Sequence, residues 1–192
     1  MNRCEDALAR LCEPAAEVSA HYLISESGAA WQLVDEQMRA WHAGAGRWGD
    51  VTDINSHSIG IELCNTMHHP FPEPQMAVLD GLLRDILTRH SIQPGNVIAH
   101  SDMAPGRKSD PGARFDWARL ERLGLAGQRG SGAGPDAPDA QLFRKIARAA
   151  GYTADVSDAT LLQAVRLRYR PQARGPLAPE DFAPLMPVAP RS

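Results

Sequence analysis

SIGIELC, residues 58 to 64, alternates without a break: Ile59, Ile61 and Leu63 fall on one side of an extended chain, Ser58, Gly60, Glu62 and Cys64 on the other. Such a segment has one apolar face to bury and a row of backbone donors and acceptors to pair, so it demands a sheet. VSAHYLIS (18–25) is β-rich, and SESG after it reads as a turn into AAWQLV (29–34), which predicts a hairpin. A helix is expected over roughly 74–90, entered through Pro70, Pro72 and Pro74, because Met76, Leu79, Leu83, Ile86 and Leu87 recur at helical spacing. A shorter one over 5–12 brings Leu8 and Leu11 together and stops before Pro14. QPGN then turns the chain into a short strand, VIAH, that ends at His100. Strand, strand, helix, strand in this order predicts an α/β (α+β) fold, a mixed central β-sheet flanked by helices.

The character of the chain changes at Gly124. LAGQRGSGAGPDAPD has no apolar period and reads as a flexible linker, after which QLFRKIARAAGY and DATLLQAVRLRYR carry helical patterns and PEDFAPLM offers a third. The expected organisation is a main domain over 1–124, a linker over 125–138 and a small all-helical unit over 139–192. A length of 192 residues accommodates one domain with a real core and an appendage of this size.

Composition excludes several functions. Twenty cations are dispersed among 23 anions, for a net charge of -3, so there is no basic footprint for nucleic acid. No stretch approaches the roughly 20 apolar residues of a membrane span. Three cysteines, Cys4, Cys12 and Cys64, are odd in number and lack CxxC spacing, which predicts neither a disulfide framework nor a zinc knuckle and fits a reducing compartment. The N-terminus carries acids and a helical spacing, not a basic start followed by an apolar run, and the expected location is cytoplasmic, with the periplasm as the alternative if the true start lies further upstream.

AHSDMAPGRKSDPG (99–112) concentrates His100, Asp102, Arg107, Lys108 and Asp110 in a segment too rich in Pro and Gly for a helix to be expected. A neutral imidazole at a strand end and a carboxylate on a Pro-Gly loop are ligand types that zinc accepts; a plain polar surface loop is the alternative. HSDMAPGRKSDPG followed by FDW (115–117) closely resembles the zinc-binding signature of the N-acetylmuramoyl-L-alanine amidases related to certain phage lysozymes and to peptidoglycan recognition proteins. VSAHYLI, AWHAG (40–44) and NSHSIGIEL (55–63) are similar to the same family in the same order, so the resemblance covers about residues 5–120.

The resemblance implies a zinc ion (Zn2+) held by two histidines and a third ligand, with His100 and Asp110 matching the second and third. It implies hydrolysis of the amide between N-acetylmuramic acid and L-alanine, with peptidoglycan or muropeptide as the partner. By the same resemblance Glu62 is the general base, and Lys108 stabilises the oxyanion. Trp41, His42 and, more weakly, Asn55 match positions that line the substrate groove; Gly60 is expected to leave room for a ligand or backbone. Asp53 stands where some relatives carry an arginine that meets the peptide carboxylate, which leaves peptide preference open. His21 reads as structural. The C-terminal unit resembles, faintly, a small peptidoglycan-binding module, and a stabilising appendage is the alternative.

The family's first zinc histidine closes a strand upstream of VSAHYLI. The expectation is therefore two of three ligands and an amidase domain lacking its first strand, either because the start lies further upstream or because the chain is a remnant. Two functions stay open: a zinc amidase, or a catalytically silent binding module that keeps the groove without a complete metal site.

Overall fold

A computed structural model describes residues 4–186. Three short strands form one sheet in the order β2-β1-β3: β1 (Tyr22–Ile24) pairs antiparallel with β2 (Ala30–Gln32) and parallel with β3 (Ile61–Leu63). The expected hairpin and the mixed sheet are both present. At the hairpin turn Gly28 has φ +86°, and a Cβ there would stand 2.9 Å from the Pro74 carbonyl oxygen, so the turn needs glycine for both reasons. All three residues of β1 are buried, as befits the middle strand.

β3 is shorter than the alternation of SIGIELC predicts, and His21 explains why. The Gly60 N–H donates to His21 Nδ1 at 2.9 Å, while Gly60 C=O accepts from the N–H groups of His21 and Tyr22. A side chain has replaced one rung of the ladder, and regular pairing starts only at Ile61. His21 is fully buried and its Nε2 donates to the Met38 carbonyl, which fixes a neutral tautomer and supports the structural reading.

The helices expected before and after the sheet are α1 (Cys4–Cys12) and α2 (Glu73–Arg89). Met76, Leu79, Leu83 and Ile86 of α2 are buried, worth roughly 1.5–3 kcal/mol each in removed apolar surface. Gln75, also fully buried, donates from Nε2 to the carbonyls of Ile24 and Cys64 and so ties the start of α2 to the ends of β1 and β3.

Downstream, two expectations fail. VIAH is not a strand: after a tight turn at Pro94–Asn96, His100 opens a four-residue helix, α3 (His100–Met103), inside the segment expected to hold no helix. The reason is Asp102, whose carboxylate accepts the Ala99 N–H at 2.9 Å and caps the turn. FDW leads into α4 (Trp117–Arg122), also unanticipated. The C-terminal helices are α5 (Ala140–Ala149) and α6 (Asp158–Tyr169), capped by Asp139 and Ser157; PEDFAPLM forms two short tight turns in place of a third α-helix.

Cys4 and Cys64 are joined by a disulfide, with Cα atoms 5.4 Å apart, contrary to the reading from cysteine number; Cys12 is free and exposed. An odd count excludes complete pairing and nothing more, and α1 brings Cys4 to the residue that follows β3.

Compactness divides the chain into two units. One holds residues 4–46, 51–92 and 114–116; the other holds 47–50, 93–113 and 117–186. The first has the sheet, α1 and α2. The second is built on Phe143, Ala147, Tyr152, Leu161, Ala164, Val165 and Phe182, with Phe143 and Phe182 meeting edge to face. Residues 47–50 join it through Arg47 N–H to Met103 C=O and through Trp48, whose ring meets that of Tyr152. Residues 125–138 are irregular, and Arg129 pairs there with Glu121 at 2.7 Å. The boundaries at 124 and 138 drawn from composition stay a proposal about sequence organisation. Among the described residues no helix is long and apolar enough to cross a membrane.

Candidate active site

The residues singled out in the sequence fall in both units, and each group is described within its own.

In the second unit His100 and Asp110 come together: His100 Nδ1 lies 2.5 Å from Asp110 Oδ2. The backbone brings this about. Ser101 N–H donates to the Asp110 carbonyl at 3.1 Å, closing the ten-residue loop between the two, and Arg107 and Lys108 N–H both donate to the Ala104 carbonyl. Gly106, at φ +81°, lets the loop turn back. Burial pushes the Asp110 carboxyl upward, but the hydrogen bond and charge of His100 outweigh it, with Lys108 adding to the pull, so Asp110 is held below the usual carboxylate range. Lys108 is exposed on that loop. With Arg107 and Ser109 it lines one side of a cavity of about 130 Å³, whose other side is Thr160, Gln163, Ala164 and Leu167 of α6.

An imidazole nitrogen and a carboxylate oxygen facing each other suit a zinc ion as two of its ligands. Catalytic zinc takes three from the protein. Among the described residues no group of three or more His, Cys, Asp or Glu side chains gathers to hold an ion.

In the first unit Glu62 is half-buried on β3 opposite Leu23. Contrary to expectation, Gly60 beside it leaves no room for a ligand or backbone; the His42 ring fills that space, and a Cβ on Gly60 would stand 2.3 Å from it. His42 is held from other sides too. Its ring meets His21 at 5.7 Å between centroids, and its Nε2 lies 3.4 Å from the Ser58 hydroxyl, which itself donates to the Ile54 carbonyl. Asn55 is buried, and its Oδ1 accepts the N–H groups of both His42 and Ala43, so its side chain is engaged in shaping the AWHAG loop. Trp41 is 56% exposed, and Arg39 stacks over its ring at 4.4 Å while pairing with both oxygens of Asp53. The acid at position 53 thus has an arginine as its own partner. Sequence reasoning passed over Arg39, whose only signal was its place two residues before the exposed tryptophan.

The fold, the sheet residues in order, and the His–Asp pair on a basic loop define a family. A model described as N-acetylmuramoyl-L-alanine amidase matches residues 1–113, and the chain belongs to that family. It is 38% identical over 181 residues to the N-acetylmuramoyl-L-alanine amidase AmiD of Escherichia coli K12, covering 86% of this chain and 62% of that protein. It is 40% identical over 106 residues to the 1,6-anhydro-N-acetylmuramyl-L-alanine amidase AmpD of Citrobacter freundii, covering 55% of this chain and 57% of that one. The chain thus spans about three fifths of the length of these curated relatives. Its structure superposes with TM-score 0.86 and 31% identity on the E. coli AmiD complex with the substrate anhydro-N-acetylmuramic acid-L-Ala-D-gamma-Glu-L-Lys, over 94% of this chain and 82% of that one.

Proposed function

We propose that this protein hydrolyses the amide between N-acetylmuramic acid and L-alanine in muropeptides, anhydro forms included, and does so with zinc. The observation that carries the reading is the His100–Asp110 pair on the Lys108 loop, in a chain of the amidase family. When bound by His100 and Asp110, zinc would supply Lewis acidity and a water of pKa near 7. The remaining work belongs to side chains. Glu62 takes the proton of the attacking water and returns it to the leaving amine; Lys108 stabilises the charge that develops on the carbonyl oxygen; Trp41 and His42 contribute to substrate binding. Incubating the protein with an anhydro-muropeptide, with and without a chelator, tests this. Release of the L-alanine-headed peptide that stops with the chelator and returns with zinc is the expected result, and chelator-resistant cleavage rules the mechanism out.

A silent muropeptide-binding module is the second reading, in which the His100–Asp110 pair serves as a hydrogen-bonded pair and not as metal ligands. Saturable muropeptide binding without zinc uptake or cleavage would select it.

The Cys4–Cys64 disulfide favours an oxidising compartment over the cytoplasm expected from the N-terminal composition.

A further inference from the structure

Asp102 plays no part in the proposed chemistry, yet its side chain is heavily engaged. It is fully buried, and its oxygens have three partners. Oδ2 accepts the Ala99 N–H at 2.9 Å and Arg168 Nη1 at 2.8 Å, and Oδ1 accepts the Tyr152 hydroxyl at 2.8 Å. Arg168 reaches back from α6 and grips the segment twice, since its Nη2 also donates to the Val97 carbonyl at 3.1 Å. Its guanidinium lies 3.9 Å over the Trp117 ring. One planar fork therefore fixes the backbone before His100 and the carboxylate after it.

The arrangement is a poor one for stability alone. Arg168 Nε is buried without a hydrogen-bond partner, and buried ion pairs are commonly matched or bettered by apolar residues of similar volume. Its geometry suits position. A helix of four residues does not hold itself together, because nucleation outweighs so few hydrogen bonds. What α3 lacks internally, Arg168 and Tyr152 supply from outside, and Ser101 N–H passes the constraint on to Asp110.

We propose that Arg168, assisted by Tyr152, is a positioning residue for the metal ligands: α6 clamps α3 through Asp102 and thereby sets His100 against Asp110. The C-terminal helices are then part of the ligand site's scaffold. This rests on the reading of His100 and Asp110 as ligands, and the test separates the two ideas.

Three variants of the full chain decide it. Arg168→Met removes the clamp. Tyr152→Phe removes one hydrogen bond and keeps the ring against Trp48, which guards against misfolding. Arg166→Met, on the same helix as Arg168, breaks a buried pair with Asp181 without touching Asp102, and serves as control. Zinc affinity by chelator competition, hydrogen exchange at Ser101–Ala104, and kcat and KM on a muropeptide are measured for each. For Arg168→Met, zinc binding about 10–100-fold weaker, faster exchange at these amides and a lower kcat with little change in KM are expected. Tyr152→Phe moves the same quantities less, and Arg166→Met leaves the zinc affinity and the exchange as in the unaltered protein. Folded Arg168→Met with unaltered affinity and exchange overturns the proposal, as does an equal effect of Arg166→Met. An unaltered chain that takes up no zinc overturns the ligand reading alone, and the exchange rates then decide the clamp.

Discussion

At the scale of single residues, Gly60 has changed meaning between sequence and structure. Beside a candidate base it reads as an opening for substrate; in the fold its missing Cβ is where the His42 ring lies. Gly60→Ala must displace that ring or bend β3, so a loss of about 1–3 kcal/mol by urea unfolding is expected. The double variant with His42→Ala should recover most of it, and strictly additive losses would show that the ring contact is not the cause. Glu62 and Lys108 answer to kinetics instead. Glu62→Ala should lower turnover with zinc content nearly unchanged, because a base is not a ligand; zinc lost in proportion would assign it to the metal. Lys108→Ala should cost roughly 2.7–4 kcal/mol of transition-state stabilisation, and an effect confined to KM would make it a substrate binder.

At the scale of elements, much could be read from local pattern. β1, β2, α1, α2, α5 and α6 announce themselves by period and by turn residues, because the forces that select them act within a few positions of one another. α3 does not. Its cap, Asp102, was visible three residues after Ala99, but the arginine that completes it comes 66 positions later. The shortening of β3 likewise depends on a histidine 39 positions upstream. His100 and Asp110 could be picked out from their chemistry and their family resemblance; what joins them, a backbone hydrogen bond closing a loop, leaves no mark in composition. Glu36 is a second long-range feature, and a testable one. Burial raises its pKa, but hydrogen bonds from His90, Tyr22 and Arg89 outweigh burial and hold it at about 2, against 4.5 ordinarily. Because the folded value is depressed, its contribution is present above pH 4.5 and lost as pH falls towards 2. Tyr22, pushed up to about 12 by burial and by Glu36, contributes with the opposite sense: fully below pH 10, less as pH rises towards 12. Thermal melts of the protein and of Glu36→Gln should therefore differ most near pH 5 and converge near pH 2. A constant difference over that range would mean that the network does not act through the charge.

At the scale of the whole molecule, the unexpected covalent link matters most. The Cys4–Cys64 bridge closes a loop across 60 positions of sequence, and that loop contains β1, β2, β3 and every first-unit residue proposed to bind substrate or act as base. Chain-entropy reasoning gives a loop of this size about 4 kcal/mol, while typical native bridges contribute about 2–4 kcal/mol, most of it by restricting the unfolded chain. Strands of three residues gain from such a constraint, since each β1–β3 rung joins residues 39 positions apart and its entropy cost is partly met in advance. Reducing the bridge, or replacing both cysteines by serine, should thus lower unfolding stability by about 2–4 kcal/mol and speed hydrogen exchange in α1 and in β3. Thiol counting under denaturing conditions checks the premise: the native protein should show one reactive thiol, Cys12, and the reduced protein three. Three thiols in protein purified from an oxidising environment would remove the bridge, and with it the argument for where the protein works.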